Sequence, residues 1–311
     1  MTKFGETGER PAVQAIREAI RGGGGPDDDA SVLSLPGGDL VVCTDSVSFK
    51  RHMPKGMSFE QFGWYAAAVN LSDLAAMGAR PVGLMAALML PEDTAMSDVQ
   101  AVMSGMDQCA EFAGIQVIGG DTKPGPGVVT GTALGVMDGR TPMTRKGASA
   151  GDLIAVTGPL GGPAAGFSAL EKGADAPDSV FSLYVPIPRI EEGIALAETG
   201  LVTSCMDLSD GLSTALNTLC RINGTGAAVE WDMIPVADET AGIIEQLGLP
   251  DEDTVMGWGG EYELLFTFRK DDLERMRMSG VDFAVIGIMT EDPKVVLRRN
   301  EKYREVGDGA Y

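Results

Sequence analysis

Aspartates recur at special positions in this chain. Three of them, Asp45, Asp121 and Asp207, end apolar runs that read as β-strands (LVVCTD, IQVIGGD and LVTSCMD). Asp210 follows in LSDG, just before a helical pattern, and GGGGPDDDASV places a triplet, 27–29, ahead of another strand pattern. We expect these strand-end carboxylates to converge on one cleft. Each alone could be an ordinary turn aspartate, and Asp210 could be a helix N-cap.

A further aspartate lies inside an apolar helix. Residues 66–79, AAAVNLSDLAAMGA, are small and apolar apart from Asn70, Ser72 and Asp73, which predicts a helix that is buried on nearly all sides. Asn70 and Asp73 are three residues apart and therefore share a face. A buried carboxylate is costly unless it meets a cation or strong donors, so Asp73 predicts a binding site. The alternative is an internal cap or a salt bridge to Arg80.

Aspartates from separate segments, without histidine or cysteine beside them, indicate an oxygen-rich site for hard cations such as Mg²⁺. Mg²⁺ usually accompanies phosphate. The like charges at 27–29 would then be tolerated because divalent ions lie among them; the alternative is a solvated acidic turn. The chain has neither a G-x-x-x-x-G-K-[ST] loop nor a G-x-G-x-x-G after a strand. GASAG matches the G-x-S-x-G pattern of α/β-hydrolases but lies in a linker. The only histidine, His52, precedes it, so the hydrolase order of Ser, Asp and His is not met.

Composition excludes several classes of partner. The net charge of -21 argues against nucleic acid and anionic membranes, because binding to phosphate backbones needs Lys and Arg. No apolar run reaches the length of about 20 residues that a membrane span needs, and the N-terminus lacks a signal-peptide pattern. The four cysteines are far apart, which favours reduced, buried thiols in a cytoplasmic protein.

Length and element order predict two α+β lobes. A chain of 311 residues favours two domains, and the polar segment 138–152 divides the strand and helix patterns. We place the boundary between 1–145 and 146–311. Strands and helices interleave without strict βαβα repetition, so we expect mixed or antiparallel sheets flanked by helices.

The same residues carry a resemblance to a known family. The motifs, in chain order, are PDDDA (26–30), CTD (43–45), VNLSDLAAMGARP (69–81), IGGDT (118–122), TRKGA (144–148), VTG (156–158), MDLSDGL (206–212) and YELLFT (262–267). They resemble the thiamine-monophosphate kinase family, whose relatives include aminoimidazole ribonucleotide synthetase, selenophosphate synthetase and the hydrogenase-maturation carbamoyl dehydratase. The resemblance implies two α+β lobes, a dimer paired through the N-terminal lobes, and ATP-dependent phosphorylation of thiamine monophosphate with several Mg²⁺ ions.

The resemblance also implies roles for individual residues. Metal ligands would be Asp28, Cys43 (through its carbonyl), Thr44, Asp45, Asp73, Asp121, Asp207 and Asp210, and the catalytic residues would be Asp73, Asp121 and Asp210. ATP would contact Gly120, Asp121, Arg145 and Ser209; for Arg145 the alternative is a surface position in the linker. Thiamine phosphate would lie near His52, Glu261 and Tyr311.

The chain departs from the family pattern in three places. PDDDA replaces G-D-D-x-A, so Asp29 is an extra acidic residue. GGEYEL, residues 259–264, is one residue shorter than G-G-E-D-Y-E-L, so the substrate glutamate is Glu261 or is lost. The end, VGDGAY, lacks the usual aromatic-acid-His-Phe tail. The alternatives are another ATP-using member of the superfamily, similar to aminoimidazole ribonucleotide synthetase, and a non-catalytic nucleotide or metal sensor.

Overall fold

The computed structural model describes residues 9–20 and 27–307. The first half contains α1 (Glu9–Ala19), β1 (Ser31–Leu35), β2 (Gly38–Ser48), α2 (Phe49–His52), α3 (Phe59–Ala76), β3 (Arg80–Leu90), α4 (Met96–Phe112), β4 (Val117–Pro124) and β5 (Val128–Val136). The five strands β1 to β5 form one sheet in the order β1-β2-β5-β3-β4. Its neighbours are antiparallel except β3 and β4, which are parallel and are joined through α4.

The second half contains β6 (Asp152–Val156), α5 (Gly162–Lys172), α6 (Pro177–Tyr184), α7 (Ile190–Thr199), β7 (Val202–Asp207), α8 (Leu212–Asn223), β8 (Gly226–Glu230), α9 (Asp238–Leu247), β9 (Leu264–Arg269), α10 (Leu273–Arg277), β10 (Ala284–Thr290), β11 (Val295–Arg299) and β12 (Lys302–Glu305). The second sheet has the order β12-β11-β8-β10-β6-β9-β7. Only β11 and β8 are parallel among its neighbours. The predicted α+β class with two mixed sheets is confirmed.

Helix α3 is the central element of the fold. A capping box starts it, in which the Ser58 hydroxyl accepts from the Gln61 N–H and the Gln61 side chain accepts from the Ser58 N–H. It ends before Gly78, whose φ of 70° is left-handed, as the sequence pattern predicts. Most of its residues are buried because it packs on the first sheet, on α4, and on α7 and β7 of the second half.

One hydrophobic cluster joins the two halves. It includes Leu71 and Leu74 of α3, Leu196 of α7 and Phe266 of β9, all of which are fully buried. The boundary predicted at residue 145 falls in the segment that connects the two sheets. As a division into domains it stays a prediction, because this core is shared.

The sequence patterns missed or misplaced some elements. The strand expected over 227–236 stops at Glu230, because Trp231–Met233 turns into a 3₁₀ helix. The β11–β12 hairpin was not expected, since VVLRR and KYRE are short and carry many charges. Within the described ranges, every helix is too short or too polar to traverse a lipid bilayer.

Candidate active site

Three carboxylates from separate parts of the chain meet between the two halves. One oxygen each from Asp29, Asp73 and Asp207 lies within 4.8 Å of the other two. Asp29 lies in the loop before β1, Asp73 lies in α3, and Asp207 is the last residue of β7. The predicted convergence of a helix aspartate with a strand-end aspartate is therefore found. We call Asp29, Asp73 and Asp207 the carboxylate trio.

Helix α3 fixes two members of this site through adjacent residues. The Ser72 hydroxyl donates to Asp207 Oδ2 at 2.7 Å, and both residues are buried. Asp73, the next residue, carries its carboxylate to the same place. Ser72 was not expected to take part, because its only signal was that it interrupts an apolar helix beside an aspartate.

Asn70 ties the same helix to β2. Its side-chain oxygen accepts from the Asp45 N–H at 2.8 Å, and its amide donates to the Ala66 carbonyl at 3.0 Å. The Cys43 thiol donates to the Asn70 carbonyl at 3.1 Å. The face shared by Asn70 and Asp73 thus points at β2, the strand that contains the CTD motif, which places Asp45 beside Asp73.

Burial strongly perturbs these acids. The pKa of Asp73 is well above its ordinary value because the carboxyl is buried and because the carboxylates of Asp207 and Asp45 lie close to it. Burial, together with the Asp29 charge, raises the pKa of Asp207 to about 7, although the Ser72 hydrogen bond opposes the shift. Burial raises the pKa of Asp28 to about 6. A bound cation would stabilise the charged form of these carboxyl groups, because it offsets the repulsion between neighbouring carboxylates.

Arg145 is the protein cation at the trio. Its guanidinium donates to both oxygens of Asp29, at 2.6 and 3.2 Å. Although burial opposes protonation, the Asp29 carboxylate holds the pKa of Arg145 above its usual value. Its backbone N–H donates to Asp28 Oδ1 at 3.1 Å. Arg145 is thus largely buried at the site, and the alternative of a surface linker arginine is wrong.

The extra aspartate, Asp29, joins the trio, while its neighbour Asp28 binds the backbone of Arg145. Sequence reasoning proposed Asp28 as the ligand and had only the acidic triplet itself as a signal for Asp29. The role of Asp28 as a metal ligand stays a prediction. Pro26, in the same motif, lies outside the described residues.

The other residues of the CTD motif lie on two faces of β2. Cys43 and Asp45 alternate with Thr44, so Thr44 points to the opposite face of the sheet. Its hydroxyl donates to the Gly131 carbonyl at 2.8 Å and lies 3.0 Å from the Thr132 hydroxyl. Burial raises the pKa of the Cys43 thiol well above its ordinary value. Asp45 is placed to join the trio, whereas ligation by Cys43 and Thr44 stays a prediction.

Asp121 lies away from the trio on the exposed strand β4. It forms an ion pair with Lys123 at 2.7 Å, and that hydrogen bond lowers the pKa of Asp121. Asp121 shares a register row with Ala87, Thr130 and Ser46, whereas Gly120 is in the row of Asp45. Adjacent rows point to opposite faces, which is why Asp45 and Asp121 do not meet. The expectation that these two residues end their strands is wrong, because β2 continues to Ser48 and β4 to Pro124. The roles proposed for Asp121 and Gly120 stay predictions.

The LSDG loop and the GGEYEL segment pack against each other beside the trio. The Gly260 N–H donates to the Ser209 carbonyl at 2.9 Å, and the Tyr262 N–H donates to the Leu208 carbonyl at 3.1 Å. Asp210 is exposed in this loop. Burial raises the pKa of Tyr65, and the charges of Asp207 and Asp210 add to that shift. These contacts bring Ser209 and Asp210 to the cleft, although contacts with nucleotide or metal stay predictions.

Glu261 points toward the glycine-rich loop before α5. Its Oε1 accepts from the Gly161 N–H at 3.1 Å. Its Oε2 is buried and has no hydrogen-bond partner within the described part of the chain. Burial raises the pKa of Glu261 to about 7. An acid with one free buried oxygen can accept a bond from a ligand or, when protonated, donate one.

Two tyrosines and a histidine, Tyr65, Tyr262 and His52, form one wall of the cleft that contains the trio. The Tyr65 and Tyr262 hydroxyls are 2.9 Å apart, and the ring of His52 lies 6.3 Å from that of Tyr65. Tyr262 has a φ of 54°, which is uncommon for a large side chain. Burial lowers the pKa of His52, whose Nδ1 accepts from the Ser48 N–H. The hydroxyl pair was not expected from sequence, and Tyr311 lies outside the described residues.

The alternative partner for Asp73 is also settled. Arg80 forms a bidentate ion pair with Asp138 at 2.7 and 3.1 Å on the surface. The alternative prediction of a salt bridge between Asp73 and Arg80 is therefore wrong, and Asp73 remains part of an acidic cluster.

Comparison with known proteins places this site in a family. The model described as AIR synthase related protein, N-terminal domain, matches residues 27–137, and its C-terminal counterpart matches residues 149–300. The thiamine-monophosphate kinase of Synechococcus elongatus is 32% identical over 321 residues, covering 97% of this chain and 94% of that protein. The chain belongs to the thiamine-monophosphate kinase family.

Other members agree in sequence and in fold. The thiamine-monophosphate kinase of Methanopyrus kandleri is 31% identical over 280 residues, covering 89% of this chain and 87% of the relative. The solved structure of AaThiL complexed with AMPPCP and TMP superimposes with a TM-score of 0.88 and covers 98% of this chain and 99% of that one. At 24% identity, that structure is similar in fold. The family resemblance expected from the motifs is confirmed.

Proposed function

We propose that this chain transfers the γ-phosphoryl group of ATP to thiamine monophosphate, giving ADP and thiamine diphosphate. Membership of the thiamine-monophosphate kinase family supports the activity. The structural observation that carries the proposal is the carboxylate trio, which is assembled from both halves of the chain and in which Asp207 is buried while Asp29 and Asp73 are half-buried.

The donors of the trio suit Mg²⁺. They are carboxylate oxygens that converge within 4.8 Å, and the Arg145 guanidinium donates to one of them, Asp29. Mg²⁺ prefers such oxygen donors and usually keeps phosphate oxygens in its shell. Asp29, Asp73 and Asp207 would hold the first ion, with Asp45 beside them. When bound, Mg²⁺ would neutralise charge on the phosphate oxygens.

The reaction needs little proton chemistry from the protein. The acceptor is a phosphate monoester whose second pKa is about 6, so its oxygen is already ionised near neutral pH. That oxygen bonds to the γ-phosphorus while the bond to the β,γ-bridging oxygen breaks and ADP leaves. The residues of the cleft must therefore bring two polyanions together and screen them, which is the main task in phosphoryl transfer.

Arg145 is placed to bind the triphosphate. Its guanidinium is planar, lies at the rim of the trio and retains partial exposure of 19%. Asp29 holds this planar group in one orientation, so a phosphate that approaches the trio meets an oriented cation. Ser209 and Asp210, in the adjacent loop, would line the same side.

The substrate side is formed by the wall that contains His52, Tyr65 and Tyr262. His52 has a lowered pKa and would meet thiamine phosphate as a neutral ring. The free Oε2 of Glu261 would accept a bond from the substrate or donate one to it. We therefore keep Glu261 as the substrate glutamate of the shortened GGEYEL segment.

We also propose a cytoplasmic homodimer. All four cysteines are free and buried, which agrees with a reducing compartment. The outer face of the first sheet exposes Val82, Met85 and Met89 of β3 and Ile118 of β4. An exposed apolar sheet face of this kind favours association, and a second copy of the chain is the occupant that the family resemblance implies.

The test is a direct assay with purified protein, Mg²⁺, ATP and thiamine monophosphate. We expect ADP and thiamine diphosphate in equal amounts, quantified by chromatography. Asp73→Asn removes one charge of the trio and should lower kcat/KM about 100-fold or more, because charge stabilisation by metal is lost. Asp107→Asn, on the exposed face of α4, is the matched control and should retain full activity.

A folded wild type that binds ATP but forms no thiamine diphosphate would reject the kinase proposal in favour of a nucleotide sensor. Circular dichroism of Asp73→Asn separates loss of chemistry from loss of fold. Equal activity of Asp73→Asn and wild type would remove the trio from the mechanism.

A further inference from the structure

Asn223, the last residue of α8, lies against the segment that carries Arg145. Its Nδ2 donates to the Arg145 carbonyl at 2.9 Å, and its Oδ1 accepts from the Gly147 N–H at 2.7 Å. The same Nδ2 also donates to the Leu219 carbonyl at 2.9 Å, one helical turn back. One amide side chain thus joins the end of α8 to two backbone groups of the TRKGA motif.

The other side of this segment rests on β7. The Cys205 N–H donates to the Thr144 carbonyl at 2.9 Å. Gly147 has a φ of 143°, and a Cβ at this position would overlap the Thr203 carbonyl oxygen. The segment from Thr144 to Gly147 is therefore held between a strand and the end of a helix, with little room to shift.

The consequence falls on Arg145. Its carbonyl is held by Asn223, its N–H by Asp28 and its guanidinium by Asp29. Asp28 and Asp29 belong to the trio side of the cleft, so among the three residues that bond to Arg145 itself, Asn223 is the one from the second half of the chain. Removing Asn223 would leave the Arg145 carbonyl without its hydrogen bond, so the guanidinium would be oriented less firmly, through Asp29 and the contacts of the segment with β7 alone.

We infer that Asn223 is a positioning residue that orients Arg145 for the polyphosphate of the nucleotide. This inference rests on the proposed function, because it takes Arg145 as a nucleotide contact. Asn223 acts only through the backbone of Arg145 and Gly147. Its loss should weaken nucleotide binding, with a smaller change in kcat, since the aspartates remain in place.

The helix offers a matched control. Asn217 is also an asparagine of α8, and its Nδ2 also donates to the carbonyl four residues back, that of Ser213, at 2.9 Å. Its second acceptor is the Val306 carbonyl at 3.3 Å, near the end of β12, and not the TRKGA motif. Asn217→Ala and Asn223→Ala therefore remove similar side chains from the same helix.

The experiment measures binding of a non-hydrolysable ATP analogue with Mg²⁺ by calorimetry, and KM and kcat for ATP. Asn223→Ala should weaken binding and raise KM about five- to tenfold, the effect of one or two hydrogen bonds. Asn217→Ala should bind as wild type does. In an Arg145→Ala background, Asn223→Ala should add less than about twofold, because the two residues act through one contact.

Three results would overturn the inference: wild-type affinity in Asn223→Ala, equal losses in Asn217→Ala, or full additivity with Arg145→Ala. If Asn223→Ala melts too low to measure, Asn223→Asp keeps an acceptor for the Gly147 N–H and lacks the donor to Arg145, and it must also weaken binding. The calorimetric comparison does not need turnover. A wild type that binds the analogue without transferring phosphate would contradict the kinase proposal while the comparison still decides the role of Asn223.

Discussion

At the scale of single residues, the site is built from carboxylates whose environment opposes their charge. Asp207 is buried at the end of β7, with the Asp29 carboxylate close by. The Ser72 hydroxyl stabilises its charged form by donating a hydrogen bond to it. A buried, incompletely compensated carboxylate binds a cation strongly and otherwise retains a proton. The same property that suits Asp207 to metal therefore makes the stability of the fold depend on pH.

The direction of that dependence follows from proton binding. An unfolded aspartate holds its proton only below its ordinary pKa of 3.8, whereas folded Asp207 holds it up to about pH 7. Between these values the folded state binds more protons, so the free energy of unfolding falls as pH rises. In buffer with a chelator, we expect the melting temperature to drop by several degrees from about pH 5 to about pH 7.5.

Two comparisons make this prediction specific. Asp207→Asn should flatten the pH dependence, whereas Asp107→Asn should leave it as in wild type. Added Mg²⁺ should raise the melting temperature more at the higher pH, because the ion displaces protons from the trio. A melting temperature that rises over this interval in the chelated wild type would contradict the shifted pKa values.

At the scale of elements, the crossing of α3 and α4 sets where Asp73 and Ser72 lie. The two helices approach closely at two glycines: a Cβ on Gly63 would overlap the Val102 carbonyl, and a Cβ on Gly105 would overlap the Glu60 carbonyl. Backbone atoms in both contacts cannot rotate away as a side chain could. The small residues thus allow α3 to lie deep enough to carry its acidic face into the cleft.

We predict opposite effects for two helical glycines. Gly105→Ala should lower the free energy of unfolding by about 1–3 kcal/mol, because the added methyl forces α3 and α4 apart. A Cβ at Gly242, in α9, would have no atom within 4 Å, so Gly242→Ala should raise the free energy of unfolding by about 0.5–1 kcal/mol. Urea denaturation of both variants measures the difference. Two stabilised variants would show that the crossing is not tight.

At the scale of the whole molecule, the first sheet has two different faces. Its inner face packs on α3 and carries Cys43 and Asp45, whereas its outer face exposes a row that contains Thr44, Thr132 and Met85. Met85 is 42% exposed, and Ile118 on β4 is 60% exposed. Asp121 lies on this outer side, so a second copy that covers the sheet would alter its surroundings.

The proposed dimer leads to a test of mass in solution. Met85→Glu places a charge in the outer face and should convert a dimer into a monomer at micromolar concentration, because burying an unpaired carboxylate is costly. Met278→Glu, at a residue that is 78% exposed beyond α10, is the control and should remain dimeric. Light scattering after size-exclusion chromatography gives both masses. A monomeric wild type would exclude the sheet as a dimer interface.

The sequence by itself determined the class of chemistry and much of the fold. Aspartates at strand ends and one in an apolar helix predicted an oxygen-rich site, and their motifs predicted the family, because residue type and local spacing are written directly in the chain. Helix α3 and the strands that lead to Asp45 and Asp207 followed from periodicity alone.

Only the tertiary structure decided which aspartates meet. Asp29 joins the trio while Asp28 binds a backbone N–H. Asp45 and Asp121 lie inside β2 and β4 rather than at the strand ends that the sequence predicted, and Asp121 lies on the outer face of the sheet. Strand register and loop packing determine the direction of each side chain, and a shift of one residue reverses it. The contacts of Ser72 and Asn223 join residues more than 70 positions apart, so no local pattern could have revealed them.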